Sequence, residues 1–274
     1  MLTYNRPQMI GRAIASVRKQ SFGDWELIIV QDGENRETER LLSDWLAREP
    51  RIRYFRRGTV GSIAEASNFG LAAATGDYIA ILDDDDCWCD PEKLERQVEF
   101  LDGNPDHVGC GGGYVVVDPQ DQPRGKYLKP EKDADVRARA LLANPLANST
   151  AIFRRVVGGE AVVYDPAMKQ FADWDFWLTM GAKGKLYNFP VLMANYALWD
   201  GGSSFKAQRA NARAALRIVR KHRGQYRGYM PALMLAGLYF GYTYLPLGVR
   251  RLSYASLSAL KKAMASEGGR LRQA

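Results

Sequence analysis

The sequence predicts an α/β protein built on a mostly parallel, doubly wound sheet flanked by helices, followed by a helical C-terminal extension. Three observations carry that reading. Apolar runs of strand length alternate with amphipathic helical stretches through the first third of the chain, which calls for parallel pairing. The polar ends of three such runs, Thr3 to Arg6, Gln31 to Gly33 and Asp83 to Asp86, belong on one side of such a sheet, where ligands bind. The last run, Tyr78 to Leu82, stops abruptly at four consecutive aspartates. Like charges so close repel one another, so the tetrad points to a cationic partner; one of its members, Asp86, or Asp90 beyond it, is also expected to cap the helix that follows Pro91.

Taken in order, Ile10, Ala13, Ile14 and Val17 recur at helical spacing between Pro7 and Gln20. Trp25 to Val30 reads as a buried strand, Glu37 to Arg48 as a helix, Arg51 to Phe55 as a strand and Ile63 to Ala74 as a helix. Pro91 to Leu101 is a further helix. Val108 to Val117 is a strand whose Gly111-Gly112-Gly113 permits either a bulge or the close approach of a ligand or backbone. Asp118 to Asp135, rich in Pro and charge, reads as a mobile excursion. A helix around Val136 to Leu142 and a strand at Ser149 to Phe153 lead to Phe171-Ala172-Asp173-Trp174-Asp175-Phe176-Trp177-Leu178, where two acids sit within an aromatic run. At two-residue spacing Asp173 and Asp175 cannot share a helix face. Asp173 either caps the helix or, beside apolar surface, serves as a base.

Composition bounds the function. The 274 residues are 46% hydrophobic and 25% charged, which fits an ordered globular chain. Cys87, Cys89 and Cys110 form no paired framework and point to a reducing compartment. The net charge of +7 is concentrated after Lys206. That basic stretch lacks the interleaved aromatics of a nucleic-acid module, so no nucleic-acid partner is expected. Gly228 to Val249 carries no charge and is flanked by Arg227, Arg250 and Arg251. Its Pro231 and Pro246 argue against a straight spanning helix. Interfacial contact with a membrane fits its Tyr and Arg content better, with packing onto the domain or a partner as the competing reading.

Thr3-Tyr4-Asn5-Arg6, Gln31-Asp32-Gly33, Gly61 to Gly70, Gly76-Asp77-Tyr78, Leu82 to Asp86 and Ala172-Asp173, in this order and spacing, resemble the family 2 glycosyltransferases of the GT-A fold over roughly residues 1 to 205. The resemblance implies a nucleotide-binding half over about 1–100, an acceptor half over about 101–205, and an extension over 206–274. It implies an inverting transfer of a sugar from a UDP- or dTDP-sugar, a UDP-sugar above all, to the hydroxyl of a glycan or lipid-linked acceptor, assisted by Mn²⁺ or Mg²⁺. Polysaccharide or glycoconjugate synthesis in the cytoplasm, peripherally on the inner face of the membrane, is the setting it suggests. Carried over by position, Thr3, Tyr4 and Arg6 would line the nucleotide pocket, Asp32 would accept from the base N–H, Asp83 or Asp84 would hold the ribose, Asp85 would bind the metal and Asp173 would be the general base.

The match has departures. A fuller apolar strand is expected before Thr3, where only Met1-Leu2 stand; Gln31 replaces a common Asp; and Ala172 replaces the usual Glu. No His follows Tyr196, so Asp200 is the nearest candidate for a further metal ligand. The rival readings are a nucleotidyltransferase, which would need a Gly-rich, Lys-bearing loop in place of Asn5-Arg6-Pro7-Gln8, and a scaffold protein whose chemistry has lapsed, which would be expected to lack Asp85 or Asp173.

Overall fold

The computed structural model describes residues 1–58, 61–198 and 208–245. Strands β1 (Leu2–Thr3), β2 (Leu27–Asp32) and β3 (Ile52–Arg57) pair in parallel in that order, joined by helices α1 (Pro7–Arg18) and α2 (Arg36–Arg48). All six residues of β2 are buried, as its Ile28-Ile29-Val30 run requires of a central parallel strand. Pro7 opens α1, whose Ile10, Ala13, Ile14 and Val17 face the core. Asn35 caps α2 by accepting from the Thr38 N–H. Ser62 and Glu65 form a capping box at the start of α3 (Ile63–Ala73).

The chain then enters a second, mixed sheet. Strand β4 (Tyr78–Ala80) leads to β5 (Cys87–Trp88), α4 (Lys93–Gly103), β6 (His107–Val117), β7 (Pro123–Tyr127), α5 (Asp133–Arg139) and β8 (Ile152–Arg154). A small hairpin of β9 (Val156–Val157) and β10 (Glu160–Ala161), helix α6 (Ala172–Lys183) and strand β11 (Lys185–Ala197) follow. The order is β4-β8-β6-β11-β5, with β7 on β6; β6 and β11 are parallel and the other pairs antiparallel. The α/β class is the one expected, but parallel pairing is confined to β1–β3 and to β6 with β11. The two-residue β1 pairs only with Val30 and Gln31 of β2, and β4 finds its partner in β8 instead.

Two local expectations are corrected, and the alternatives left open at the β6 glycines are decided. Residues 118–135 form no loose excursion: Asp118 accepts from the Gln120 and Gln122 N–H groups, closing the turn into β7, and α5 follows at Asp133. Asp86 caps no helix. It is buried and accepts from Ser149 Oγ at 2.5 Å and the Ala197 N–H at 3.1 Å, while Asp90 accepts from the Glu92 N–H ahead of α4. The glycines of β6 admit protein rather than ligand: a Cβ at Gly112 would stand 2.5 Å from Met193 Sδ, and one at Gly113 would stand 2.5 Å from Leu128 Cδ2. The β11 register shifts opposite them, between Phe189 and Leu192.

Two apolar cores result. One joins α1, α2, α4 and β2; the other gathers α6, β8 and a helical hairpin of α7 (Gln208–Lys221) and α8 (Tyr229–Tyr242), which contributes Ile218, Val219, Tyr226, Ala232 and Ala236. Among the described residues no helix is long and apolar enough to cross a membrane. Gly113→Ala, whose added methyl would also lie 2.8 Å from the Tyr127 carbonyl oxygen, should cost about 1–3 kcal/mol of stability and lower the melting temperature in a thermal scan; an unchanged midpoint would show that β7 yields freely.

Candidate active site

The carboxyl end of β4 and the loop to β5 carry the aspartate tetrad, and the fold separates its members. Arg6, in the turn between β1 and α1, places Nη2 2.5 Å from Asp84 Oδ1 and Nη1 against Asp85 Oδ2. Asn148 Nδ2 donates to Asp83 Oδ1 at 3.3 Å, and the Asp83 N–H donates to Ser149 Oγ at 3.1 Å. Asp86 turns inward, as described above. Burial, reinforced by Asp85, raises the Asp83 carboxyl to about 6. Burial raises Asp84 to about 7 despite Arg6 and Thr3, and burial with Asp83 beside it puts Asp86 well above the usual carboxylate range. Burial is the largest cause at each of the three.

The end of β1 meets it from the parallel sheet. Thr3 is buried, Asn5 adopts a left-handed backbone (φ 51°), and Tyr4 is half exposed at the rim. Asp32, at the end of β2, accepts from the Gly61 N–H at 2.9 Å and lies 3.3 Å from Arg57 Nη1. A cavity of about 1020 Å³ runs from the gap between β2 and β4 to Asp83 and, across from it, Asp173.

Asp173 sits in the first turn of α6, after Phe171, which occupies the N-cap in a left-handed conformation (φ 54°) and supplies no side-chain cap. Asn144 Nδ2 donates to Asp173 Oδ2 at 2.7 Å. Burial raises the Asp173 carboxyl; its own N–H, that of Trp174, the Lys129 ammonium and Asn144 oppose the rise. Lys129 lies between β7 and α5, donates to the Asn144 carbonyl oxygen at 2.8 Å, and is lowered to about 8 by burial. Asp175 points the other way, as two-residue spacing requires. It is buried, with His222 Nε2 2.9 Å from Oδ1 and Lys221 Nζ 2.7 Å from Oδ2.

The structure therefore brings Thr3, Arg6, Asp83, Asp84 and Asp85 together, with Asp173 facing Asp83 across the cavity; Asp83 feels both Asp85 and Asp173 electrostatically. Asp200 lies outside the described residues. Among those described, no three His, Cys, Asp or Glu side chains cluster as a full metal set. Asp85 bears electrostatically on Asp83, and neighbouring carboxylates are the oxygen donors that suit a hard divalent cation. Sequence reasoning did not single out Lys129 or Asn144. Their signal was weak, since each is one polar residue in a polar stretch.

Comparison with known proteins places the fold in context. The family model for glycosyl transferase family 2 matches residues 1–158. A Haemophilus influenzae protein named as an uncharacterized glycosyltransferase is 25% identical over 229 residues, 80% of this chain and 70% of its own length. The chain spans between 11% and 70% of the length of the first curated relatives it matches. TarS 1-349 of S. aureus, in complex with UDP-GlcNAc, shares the fold with a TM-score of 0.69 at 14% identity, over 97% of this chain and 80% of that one. The mannosyltransferase PcManGT from Pyrobaculum calidifontis, in complex with GDP-Man and Mn²⁺, does so with 0.63 at 17% identity, over 96% and 80%.

Asp83 and Asp84 bind their protons more tightly in the folded chain than in the unfolded one, where a value near 3.8 holds. Their contribution to stability is complete below that value and is lost as the pH rises through 6 and 7. In metal-free buffer, Asp83→Asn should melt a few degrees above the parent at about pH 8, with the gap closing toward about pH 5. A gap of the same size at both pH values would count against this account of the tetrad.

Proposed function

Because the chain belongs to glycosyl transferase family 2, we propose that it moves a sugar, with inversion, from a UDP- or dTDP-linked donor to an acceptor hydroxyl. The observation that carries this reading is that Asp173 and Asp83, the first member of the tetrad, line one cavity, with Asp173 close enough to bear electrostatically on Asp83. Thr3, Tyr4 and Arg6 line the nucleotide pocket, with Tyr4 against the base. Asp32, steadied by Arg57 and the Gly61 N–H, accepts from the imide N–H of a uracil or thymine. Asp83 or Asp84 holds the ribose. The UDP-GlcNAc of one structural neighbour and the GDP-Man and Mn²⁺ of another support a nucleotide-sugar donor and a divalent cation.

Asp85 is the residue we assign to Mn²⁺ or Mg²⁺, with Asp200 as a further candidate ligand. When bound, the cation supplies charge neutralisation for the departing diphosphate. Arg6, paired with Asp84 and Asp85, carries a guanidinium whose fork suits phosphate oxygens. Asp173 acts as general base. Asn144 fixes Oδ2, and the carboxylate takes the proton of the acceptor hydroxyl as that oxygen attacks the anomeric carbon from the face opposite the nucleotide. Lys129 holds Asn144 through its carbonyl oxygen and adds positive charge that opposes the rise of the Asp173 carboxyl. One carboxylate suffices because the leaving diphosphate needs no proton, unlike the paired acids of glycoside hydrolysis. The acceptor is a glycan or lipid-linked hydroxyl in polysaccharide or glycoconjugate synthesis, met in the cytoplasm at the inner face of the membrane.

A panel of nucleotide sugars with Mn²⁺ should contain one that raises the melting temperature, because a ligand that binds only the folded state stabilises it; no stabilisation by any UDP- or dTDP-sugar would refute the donor class. With that donor, Asp85→Asn should remove the metal-dependent part of the affinity in a calorimetric titration. Asp173→Asn should bind donor as the parent does while turnover falls about 10²–10⁴-fold, and retained turnover would move the base elsewhere.

A further inference from the structure

Helix α8 contains no charged residue, and it buries Ala232 and Ala236 against the second core. Its outer side presents Met230, Met234 and Leu238, which are 60%, 65% and 66% exposed. Four-residue spacing stacks these three in a single stripe along the helix. Tyr244 and Leu245, just past the helix, are exposed as well, so that five of the twelve large hydrophobic residues exposed among the described residues fall within 16 consecutive positions. Scattered exposed apolar side chains are ordinary; a contiguous stripe marks an interaction surface.

Beside the stripe, α7 contributes Arg213, Arg217 and Arg220, all exposed, which with Leu216, Leu233 and Phe240 line a groove of about 680 Å³ between the two helices. Residues 208–245 contain six Arg and one Lys and no Asp or Glu. Lys221 is engaged by Asp165 and Asp175, and Arg217 donates to the Ala167 carbonyl oxygen. A protein partner that met this face would need a dense acidic rim around an apolar centre. A bilayer carrying anionic phospholipid offers both at once, phosphate oxygens at the level of guanidinium groups and acyl chains just below.

We propose that the α7–α8 hairpin is the membrane-docking face of this protein, with Met230, Met234 and Leu238 entering the headgroup boundary and Arg213, Arg217 and Arg220 binding the phosphates of anionic phospholipids. This inference rests on the inner-membrane setting proposed above and names the surface responsible. The docked hairpin is tied to the catalytic side of the molecule, since Lys221 and His222 hold Asp175 two residues from Asp173. An acceptor presented from the bilayer would thus meet a cavity whose wall is fixed to the docking surface.

The test uses the full chain in sedimentation with vesicles of phosphatidylcholine alone or with about one third phosphatidylglycerol. The parent should co-sediment with the anionic vesicles, at least tenfold more weakly with neutral ones, and be released by raised salt. Met234→Glu with Leu238→Glu should lower binding at least tenfold, as should Arg213→Ala with Arg220→Ala; both pairs lie on exposed positions, and a thermal scan verifies that each folds. Equal binding to neutral vesicles, or binding unchanged in both double variants, would overturn the proposal. So would self-association of the parent in gel filtration without lipid that Met234→Glu with Leu238→Glu abolishes, since that assigns the stripe to a second copy. Nucleotide-sugar stabilisation measured on the same preparations separates the two readings: stabilisation without vesicle binding removes the docking face and leaves the transferase reading standing.

Discussion

Four carboxylates in a row must share the end of one three-residue strand, and the surrounding structure is arranged around dividing them. Repulsion between neighbours is relieved by sending each in a different direction. Asp83 faces the cavity with Asn148, Asp84 and Asp85 turn to Arg6, and Asp86 goes into the protein to accept from Ser149 and Ala197. The last of these does structural work, because Ser149 precedes β8 and Ala197 ends β11, so one buried carboxylate fastens the two sides of the mixed sheet at the site. Burial holds the Asp83 and Asp84 carboxyls above their ordinary range, and stability at neutral pH is where the cost of keeping them there falls.

Much of this was legible in the sequence, for a local reason. Period and caps mark α1, α2 and α3, since Ile10, Ile14 and Val17 fall on one face and Ser62 with Glu65 closes a capping box; the strand ends follow from the polar residues that interrupt each apolar run. Asp83 and Asp173, which stand in separate motifs 90 positions apart, line one cavity. What escaped depends on partners far along the chain. Nothing near Asp86 reveals that Ser149 waits 63 residues away, so a helix cap was the reasonable local reading. Asp118 looked like part of a loose loop because its two N–H donors are recognisable only once the turn exists. The glycines of β6 signalled close approach correctly, but not that Met193 and Leu128 are what approach.

Helix α6 shows how two residues of sequence can serve two ends of a molecule. Asp173 and Asp175 emerge from one helical turn on different faces; the first looks into the cavity, and the second is clamped by Lys221 and His222 of the C-terminal hairpin. Burial alone would raise the Asp175 carboxyl, yet its hydrogen bonds with His222 and Lys221 hold it below the usual range. The hairpin is therefore bound to α6 by more than its apolar contacts at Ile218 and Tyr226. A segment whose composition sets it apart, basic first and then uncharged and apolar, is in this respect part of the support behind α6, the helix that carries Asp173.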